Sequence, residues 1–233
     1  MQLPPLIKGR LVRRYQRFLA DIVLESGEQV VAHCPNTGRM QGCNTPNAQV
    51  WVSDSQNPKR RCRYTWELIA TPESLVGIHT GRANDLVAEA LQHQRLPLDT
   101  ANLHIKREVK LGDSRLDMVL YDEHQQLRWV IEVKNVTLRE NQAALFPDAP
   151  SVRGRKHIQC LMELTQQGIQ SALVFCVQRG DVCYFNGAYA IDPLYHQMLH
   201  QAQAAGVHLW AIAADPTPEQ ITLQRLLPIQ LSP

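Results

Sequence analysis

The sequence predicts an α+β protein of two domains, a small β-barrel over residues 1–80 and a mixed α/β domain over residues 81–233. The first observation is a series of short strand-like segments, separated by turn signals, that continues to residue 80. The second is the change after residue 81, where helical and strand-like patterns alternate. With 233 residues, the chain is long enough to bury a hydrophobic core.

The composition is typical of a folded globular protein without a membrane-spanning segment. Hydrophobic residues make up 44% of the chain and charged residues 20%, which argues against a disordered, collagenous or coiled-coil protein. No segment approaches the ~18 consecutive apolar residues of a membrane span, and no apolar run follows the first charges as in a secretory signal. The six cysteines form no C-x-x-C pair, as expected for reduced thiols. We therefore predict a cytoplasmic location.

The first domain contains about five short strands. Turn signals such as Ser26-Gly27 and Asn57-Pro58 separate them. This number of strands suits a small closed barrel, and the five-stranded OB-type barrel is favoured because its loops suit nucleic acid. An SH3-like barrel is the alternative that strand count alone does not separate. The predicted strand segments are Leu11–Leu24, Gln29–His33, Gln49–Ser53, Tyr64–Ala70 and Leu75–Thr80.

Positive charge is concentrated in this first domain. Residues 1–80 carry ten Lys/Arg against six Asp/Glu, while the rest of the chain is slightly acidic. Two basic runs lie among aromatic residues, a combination that suits phosphates and stacked bases. We predict a nucleic-acid surface here, although a solvated charged face is the simpler reading of either run alone. The phosphate-contacting candidates are Arg13, Arg14, Arg17, Arg60 and Arg61, and the aromatic candidates are Tyr15, Phe18, Tyr64 and Trp66.

The second domain is predicted to follow the order helix, three strands, helix, strand, with additions after that. The first helix has Asn84 as its cap and an apolar stripe facing a core. The predicted elements are helix Asn84–Gln94, strands His104–Val109, Arg115–Tyr121 and Leu127–Val133, helix Val152–Gln167, strand Ser171–Val177, helix Pro193–Ala205 and strand Val207–Ala213.

Two of these strands gather charge on one face. If they form a hairpin turning near His124-Gln125, Met118 lies opposite Ile131 and Asp117 lies opposite Glu132. A slip of one residue would mix the polar and apolar faces, so the register is well specified. Lys134 then shares the face of Glu132.

Two adjacent carboxylates repel each other unless a cation lies between them. We predict that Asp117 and Glu132 bind Mg²⁺ or Mn²⁺, which prefer oxygen ligands, and that Lys134 assists a nucleophilic water. An exposed salt-bridge cluster is the alternative. Glu108, across a tight turn at Gly112-Asp113, and Glu89, on the first helix, are equal candidates for a third acid.

The helix after the third strand begins with cations. Arg153, Lys156 and His157 share one face by their i, i+3, i+4 spacing. A helix start also presents free backbone N–H groups, so we predict that these three residues contact phosphates.

The spacing Asp117…Glu132-Val133-Lys134 resembles the D…(D/E)-x-K signature of PD-(D/E)XK nucleases. Across its whole length the chain also resembles the bacterial sugar fermentation stimulation protein A (SfsA) family. The matching segments are Arg17-Phe18-Leu19-Ala20-Asp21, His33-Cys34-Pro35-Asn36-Thr37-Gly38-Arg39-Met40, Ser114-Arg115-Leu116-Asp117, Ile131-Glu132-Val133-Lys134, Val136-Thr137-Leu138, Phe146-Pro147-Asp148-Ala149 and Arg153-Gly154-x-Lys156-His157.

The resemblance implies an N-terminal OB-like barrel, a C-terminal PD-(D/E)XK nuclease-like domain and DNA binding with little sequence preference. It also implies a link to the regulation of sugar metabolism, notably of maltose. We therefore predict a DNA-binding protein that is a candidate metal-dependent endo- or exonuclease. The alternative is a non-catalytic DNA-binding regulator, and RNA remains an alternative partner because OB barrels serve either polymer. The sequence leaves the oligomeric state open.

Overall fold

The computed structural model describes residues 1–112 and 114–232. Its first domain is a closed barrel in which β1 pairs with β2 and β4, β5 pairs with β4, and a parallel pairing of β3 with β5 completes the ring. This is the predicted OB-type barrel. Its strands are Leu6–Tyr15 (β1), Leu19–Leu24 (β2), Gln29–His33 (β3), Gln49–Asp54 (β4), Tyr64–Ala70 (β5) and the short Leu75–Gly77 (β6).

Two expectations for the barrel need correction. The segment Leu11–Leu24, expected as one strand-like stretch, is a hairpin whose turn has left-handed backbone at Gln16 and Arg17. The aromatic residues Tyr64 and Trp66 are buried and belong to the barrel core, so they offer no ring to a nucleic acid. Their strand is part of the barrel wall, and both of its faces are covered. That burial depends on tertiary packing.

The second domain begins with helix α1 and contains a six-stranded mixed sheet in the order β15-β14-β12-β9-β8-β7. The central strand β12 runs parallel to both β9 and β14. The small sheet β10-β11-β13 lies beside it. The elements are Thr80–Gln92 (α1), His104–Leu111 (β7), Ser114–Tyr121 (β8), Leu127–Val136 (β9), Leu138–Glu140 (β10), Ala143–Phe146 (β11), Val152–Gln166 (α2), Gln170–Val177 (β12), Tyr184–Gly187 (β13), Pro193–Ala204 (α3), His208–Pro216 (β14) and Ile221–Leu227 (β15).

Two apolar cores cover the two faces of the large sheet. Leu86 and Leu91 of α1 pack on one face together with Met118, whereas Ile158 of α2 and Leu199 of α3 pack on the other. The order α1-β7-β8-β9-α2-β12 is the mixed α/β arrangement that the sequence predicts for the second domain.

The start of α1 differs from the prediction. The helix begins at Thr80, and the imidazole of His79 caps it by accepting a hydrogen bond from the Gly81 amide at 3.1 Å. Asn84 therefore lies inside the helix, where its side chain is free to reach the sheet. Histidine is not among the preferred capping residues, so the sequence pattern favoured Asn84.

The hairpin register is as predicted in its middle, with Met118 opposite Ile131 and Val119 opposite Val130, but the observed ladder ends at Met118 and Ile131, short of the predicted pairing of Asp117 with Glu132. One departure is Leu116, which packs with Val119 and not with Met118. The neighbouring strand explains it, because Glu108 has left-handed backbone and interrupts the ladder between the Arg107 and Val109 pairings. The predicted turn at Gly112-Asp113 includes Asp113, which lies outside the described residues.

The barrel is docked on the second domain. The Gly77 amide donates to the Gln178 carbonyl at 2.9 Å, and Arg82 of α1 forms an ion pair with the buried Glu67 of β5 at 3.0 Å. The N-terminal ammonium lies 2.9 Å from Glu89, at the opposite end of α1. Within the described residues, no helix is long and apolar enough to cross a membrane.

Candidate metal and nucleic-acid site

A cavity of about 480 Å³ lies between the two domains, beside strands β8 and β9. Its walls come from several parts of the chain. They include the β1–β2 turn, the loop after β3, α1, the large sheet, β10 and β11, the loop before α2 and the start of α2. The predicted residues that line it are Arg17, Asp117, Glu132, Lys134, Arg153 and His157, and they are joined by Asn36, Asn84 and Asp148.

Glu132 lies at the centre of this cavity and is almost fully buried. Its Oε1 accepts from Lys134 Nζ at 2.5 Å and contacts His157 Nδ1. Lys134 Nζ and His157 Nδ1 are 3.3 Å apart, so the three side chains form one cluster. Glu132 Oε2 is buried without a hydrogen-bond partner among the described residues. Buried polar atoms are rarely left in that state, which makes Oε2 the unexplained group of the site.

Asp117 is held differently, by neutral donors. Its Oδ2 accepts from the Val133 amide at 2.7 Å and its Oδ1 from Asn84 Nδ2 at 3.0 Å. The strands no longer pair as a regular ladder beyond Met118 and Ile131, so the Val133 amide is available to this carboxylate.

The two carboxyl groups have pKa shifts in opposite directions. Burial raises the pKa of Asp117, and the negative charge of Glu132 raises it further. Burial alone would also raise the pKa of Glu132, but the hydrogen bond with His157 and the charge of Lys134 outweigh it, so that pKa lies below its usual value. Glu132 therefore stays ionised beside an acid that gains a proton more easily, which is the expected electrostatics of two neighbouring carboxylates without a cation between them.

A loop of the barrel closes one side of the cavity. The Arg14 guanidinium donates to the carbonyls of Asn36 and Gly38 at 2.7 and 2.9 Å. Asp148, from the loop before α2, accepts from the Met40 amide at 3.0 Å. Arg14 thus holds the loop of residues 36–40 against the barrel, and Asp148 joins that loop to the second domain, so the cavity belongs to both domains.

Two arginines add positive charge at the cavity. Arg17 is exposed on the β1–β2 turn, and Arg153 is exposed in the first turn of α2. Arg153 Nε donates to His157 Nε2 at 3.4 Å, and neither arginine forms an ion pair with a carboxylate in the part of the chain that the structure describes. They are the side chains of this site best placed to meet an anionic ligand.

Several predicted residues lie elsewhere. Glu108 is exposed and pairs with Arg115 at 2.8 Å, and Glu89 pairs with the N-terminus. Lys156 lines a separate depression with Gln159. Arg153 and His157 of the same helix line the cavity between the domains, whereas Lys156 does not.

The predicted arginines of the barrel have different surroundings. Arg13 is paired with Asp21 at 2.7 Å, and Arg14 is used to hold the loop of residues 36–40. Arg60 and Arg61 are exposed in the β4–β5 loop, where Arg60 donates to Thr65 Oγ1 at 3.3 Å. The β1–β2 turn and the β4–β5 loop are the two loops with which OB barrels bind oligonucleotides.

Asn84 and Asp148 line the site without having been predicted to do so. The sequence pattern predicts Asn84 as a helix cap, and it singles out Asp148 only as part of a segment that resembles the family. Only knowledge of how α1 and the Asp148 loop pack would have indicated either role. Within the described ranges, no group of three or more His, Cys, Asp or Glu side chains is arranged to hold a metal ion.

Together the fold and the site define a two-domain protein in which an OB barrel is docked on a mixed α/β domain, with a cavity lined by carboxylates and cations at their junction. Family models match both parts, the SfsA N-terminal OB domain over residues 12–78 and the sugar fermentation stimulation protein RE domain over residues 81–220. The chain belongs to the sugar fermentation stimulation protein (SfsA) family.

Its relatives match over nearly their whole length. Sugar fermentation stimulation protein homologs from Alkalilimnicola ehrlichii and Teredinibacter turnerae are each 48% identical to the chain, over 97% and 98% of both proteins. The structure of Pyrococcus furiosus SfsA in complex with Ca²⁺ matches 99% of this chain and 98% of that chain, with a TM-score of 0.89 and 26% identity.

Proposed function

We propose that this protein binds DNA and cleaves its phosphodiester backbone with the help of a divalent cation bound by Asp117 and Glu132. The observation that carries the proposal is the buried Glu132 Oε2, which has no hydrogen-bond partner among the described residues and lies in the same cavity as Asp117. A buried carboxylate oxygen without a donor is costly, and a hard cation is its natural ligand.

The residues fit such a cation. Asp117 and Glu132 provide carboxylate oxygens, the ligands that Mg²⁺ and Mn²⁺ prefer. When bound, the cation would lower the pKa of a water and stabilise charge on the phosphate. The Pyrococcus furiosus relative was solved with Ca²⁺, which supports a divalent site in the family.

The remaining residues have roles that their positions suggest. Lys134 and His157 contact the Glu132 carboxylate and can hold or release a proton next to the attacking water. Arg17 and Arg153 lack carboxylate partners among the described residues and can bind phosphates on two sides of the cavity. Arg60 and Arg61 extend the positive surface along the barrel.

A second candidate function is a DNA-binding regulator without catalysis. Lys134 and His157 both contact Glu132 Oε1 without a metal. The same cavity would then only hold DNA, and the charge of Glu132 would oppose the phosphates.

Cleavage assays with Mg²⁺ or Mn²⁺ distinguish the two functions. We expect wild-type protein to cleave DNA, and we expect Glu132→Gln and Lys134→Ala each to lose at least about 100-fold in rate while still binding DNA. Glu163→Gln, which removes an exposed carboxylate from α2, is the matched control and should cleave like wild type.

All variants must be purified identically, because a contaminating nuclease would cleave equally in each. If wild type cleaves with neither metal, or Glu132→Gln cleaves as fast as wild type, the nuclease proposal is wrong. The regulator function then predicts that Glu132→Gln binds DNA slightly more tightly, since a negative charge is removed.

A further inference from the structure

The turn between β1 and β2 presents an aromatic ring beside the cavity. Phe18 is 45% exposed, and its ring stacks on His33 with centroids 6.5 Å apart and planes inclined by 20°. Backbone hydrogen bonds hold it, because the Phe18 amide donates to Gln16 and its carbonyl accepts from Cys34, both at 2.7 Å. We call Phe18 and His33 the aromatic shelf.

The shelf is continuous with the cavity through both of its chain segments. Arg17, which precedes Phe18, lines the cavity, and the segment after His33 reaches the cavity at Asn36. A strand of nucleic acid that leaves the cavity past Arg17 therefore meets the shelf next.

Positive charge lies on the other side of the shelf as well. Arg60 donates to Thr65, and Thr65 is the strand partner of His33. The shelf thus lies between Arg17 and Arg60, an arrangement in which bases stack on a ring while cations follow the backbone. Exposed aromatic residues are common singly; a fixed ring between two cations and next to this cavity is a more specific arrangement.

The size of the cavity limits what can enter. Its volume of about 480 Å³ is that of a small-molecule site, and the barrel loop and the Asp148 loop, joined through the Met40 amide, form part of its wall. Enzymes whose pockets do not admit a duplex act on single strands or on nucleotides taken out of the stack.

We propose that the cavity takes an unpaired strand of DNA, such as a single strand, a flap or a frayed end, with one base stacked on the aromatic shelf next to Arg17. This inference rests on the DNA-binding part of the proposed function and names its substrate class.

Binding measurements with two probes test it. The first is a short fluorescent oligodeoxythymidine, and the second is a duplex with cross-linked ends that cannot fray. We expect wild type to prefer the oligodeoxythymidine, and Phe18→Ala to weaken that binding by between about 5-fold and 150-fold while leaving duplex binding unchanged. Phe18→Tyr keeps the ring and should restore binding. Val12→Ala, at an equally exposed apolar residue of β1, should bind like wild type.

The inference is wrong if Phe18→Ala binds oligodeoxythymidine like wild type, if Val12→Ala loses as much, or if wild type prefers the cross-linked duplex. Its failure is distinguishable from failure of the nuclease proposal. If duplex DNA is cleaved equally well by wild type and Phe18→Ala, the nuclease proposal stands and the aromatic shelf proposal is wrong. If binding depends on Phe18 but neither metal supports cleavage, the aromatic shelf proposal stands and the nuclease proposal is wrong.

Discussion

Asp117 and Glu132 share one cavity but are held by different kinds of group. Asp117 accepts from the amides of Asn84 and Val133, which are neutral, whereas Glu132 faces the cations of the cluster. Burial and the charge of Glu132 raise the pKa of Asp117 in spite of these hydrogen bonds. Burial also acts to raise the pKa of Glu132, but the hydrogen bond with His157 and the charge of Lys134 lower it below its usual value. Pairs of acids separated in this way are common in sites that perform chemistry. The packing of the two domains at this cavity also depends on Gly38, which has no side chain to overlap Asp148.

Gly38 lies where the barrel loop meets Asp148. A Cβ at this position would overlap both carboxylate oxygens of Asp148, which the Met40 amide holds in place. We predict that Gly38→Ala lowers the free energy of unfolding by about 1–3 kcal/mol, the usual cost of overpacking. Urea unfolding measures the loss.

A double-mutant cycle separates this clash from a general effect on the loop. Asp148→Ala removes the obstacle, so the double variant should be more stable than the sum of the single changes, by at least about 0.5 kcal/mol. If the changes in the free energy of unfolding are strictly additive, a Cβ at position 38 and the Asp148 side chain do not clash.

At the scale of elements, the sequence predicted what depends on periodicity and missed what depends on packing. The β8–β9 register followed from the alternation of apolar residues around Met118 and Ile131. The β1–β2 turn was missed because it lacks Gly, Pro or Asn, although the tight hairpin places Gln16 and Arg17 in left-handed backbone. The short strands β10, β11 and β13 are too brief to show a period.

An ion cluster joins β10 to the loop between β12 and β13. Asp181 accepts two hydrogen bonds from Arg179, at 2.7 and 2.8 Å, and pairs with Arg139 of β10 at 3.1 Å. Burial tends to raise the pKa of Asp181, but Arg179 outweighs it, and that pKa lies below its usual value. The folded state therefore prefers the ionised form.

The sign of the pH dependence follows from this lowered pKa. The stabilisation is fully present above the pKa of about 4 that an unfolded aspartate has, and it is lost as pH falls through the lower folded value. We predict that Asp181→Asn lowers the free energy of unfolding by about 1.5–3 kcal/mol at neutral pH, and that its difference from wild type shrinks in acid. Denaturant unfolding at several pH values measures both.

The exposed pair of Arg107 and Asp85 is the matched control. Asp85→Asn should cost less than about 1 kcal/mol, because solvent screens surface pairs. An Asp181→Asn effect as small as the control, or one that grows as pH falls, would contradict this account of the cluster.

At the scale of the whole molecule, the two domains form one site. The sequence predicted a barrel, a nuclease-like domain and the acids of the second domain, but it gave no sign that Arg17 and Asn36 of the barrel line the same cavity as Asp117. That juxtaposition comes from the docking contacts of Gly77 with Gln178 and of Arg82 with Glu67. Contacts between residues distant in sequence leave no local pattern, so only the folded structure reveals the shared cavity.

The central claim is that Asp117 and Glu132 bind one divalent cation, and calorimetric titration of the DNA-free protein with Mg²⁺, Mn²⁺ and Ca²⁺ tests it most directly. We predict binding at a single site in wild type and at least about tenfold weaker binding in both Asp117→Asn and Glu132→Gln, since each removes a charged oxygen ligand. Glu163→Gln, on the exposed face of α2, should bind like wild type. Equal affinity in wild type and both site variants, or no heat of binding for any of the three metals, would contradict the account.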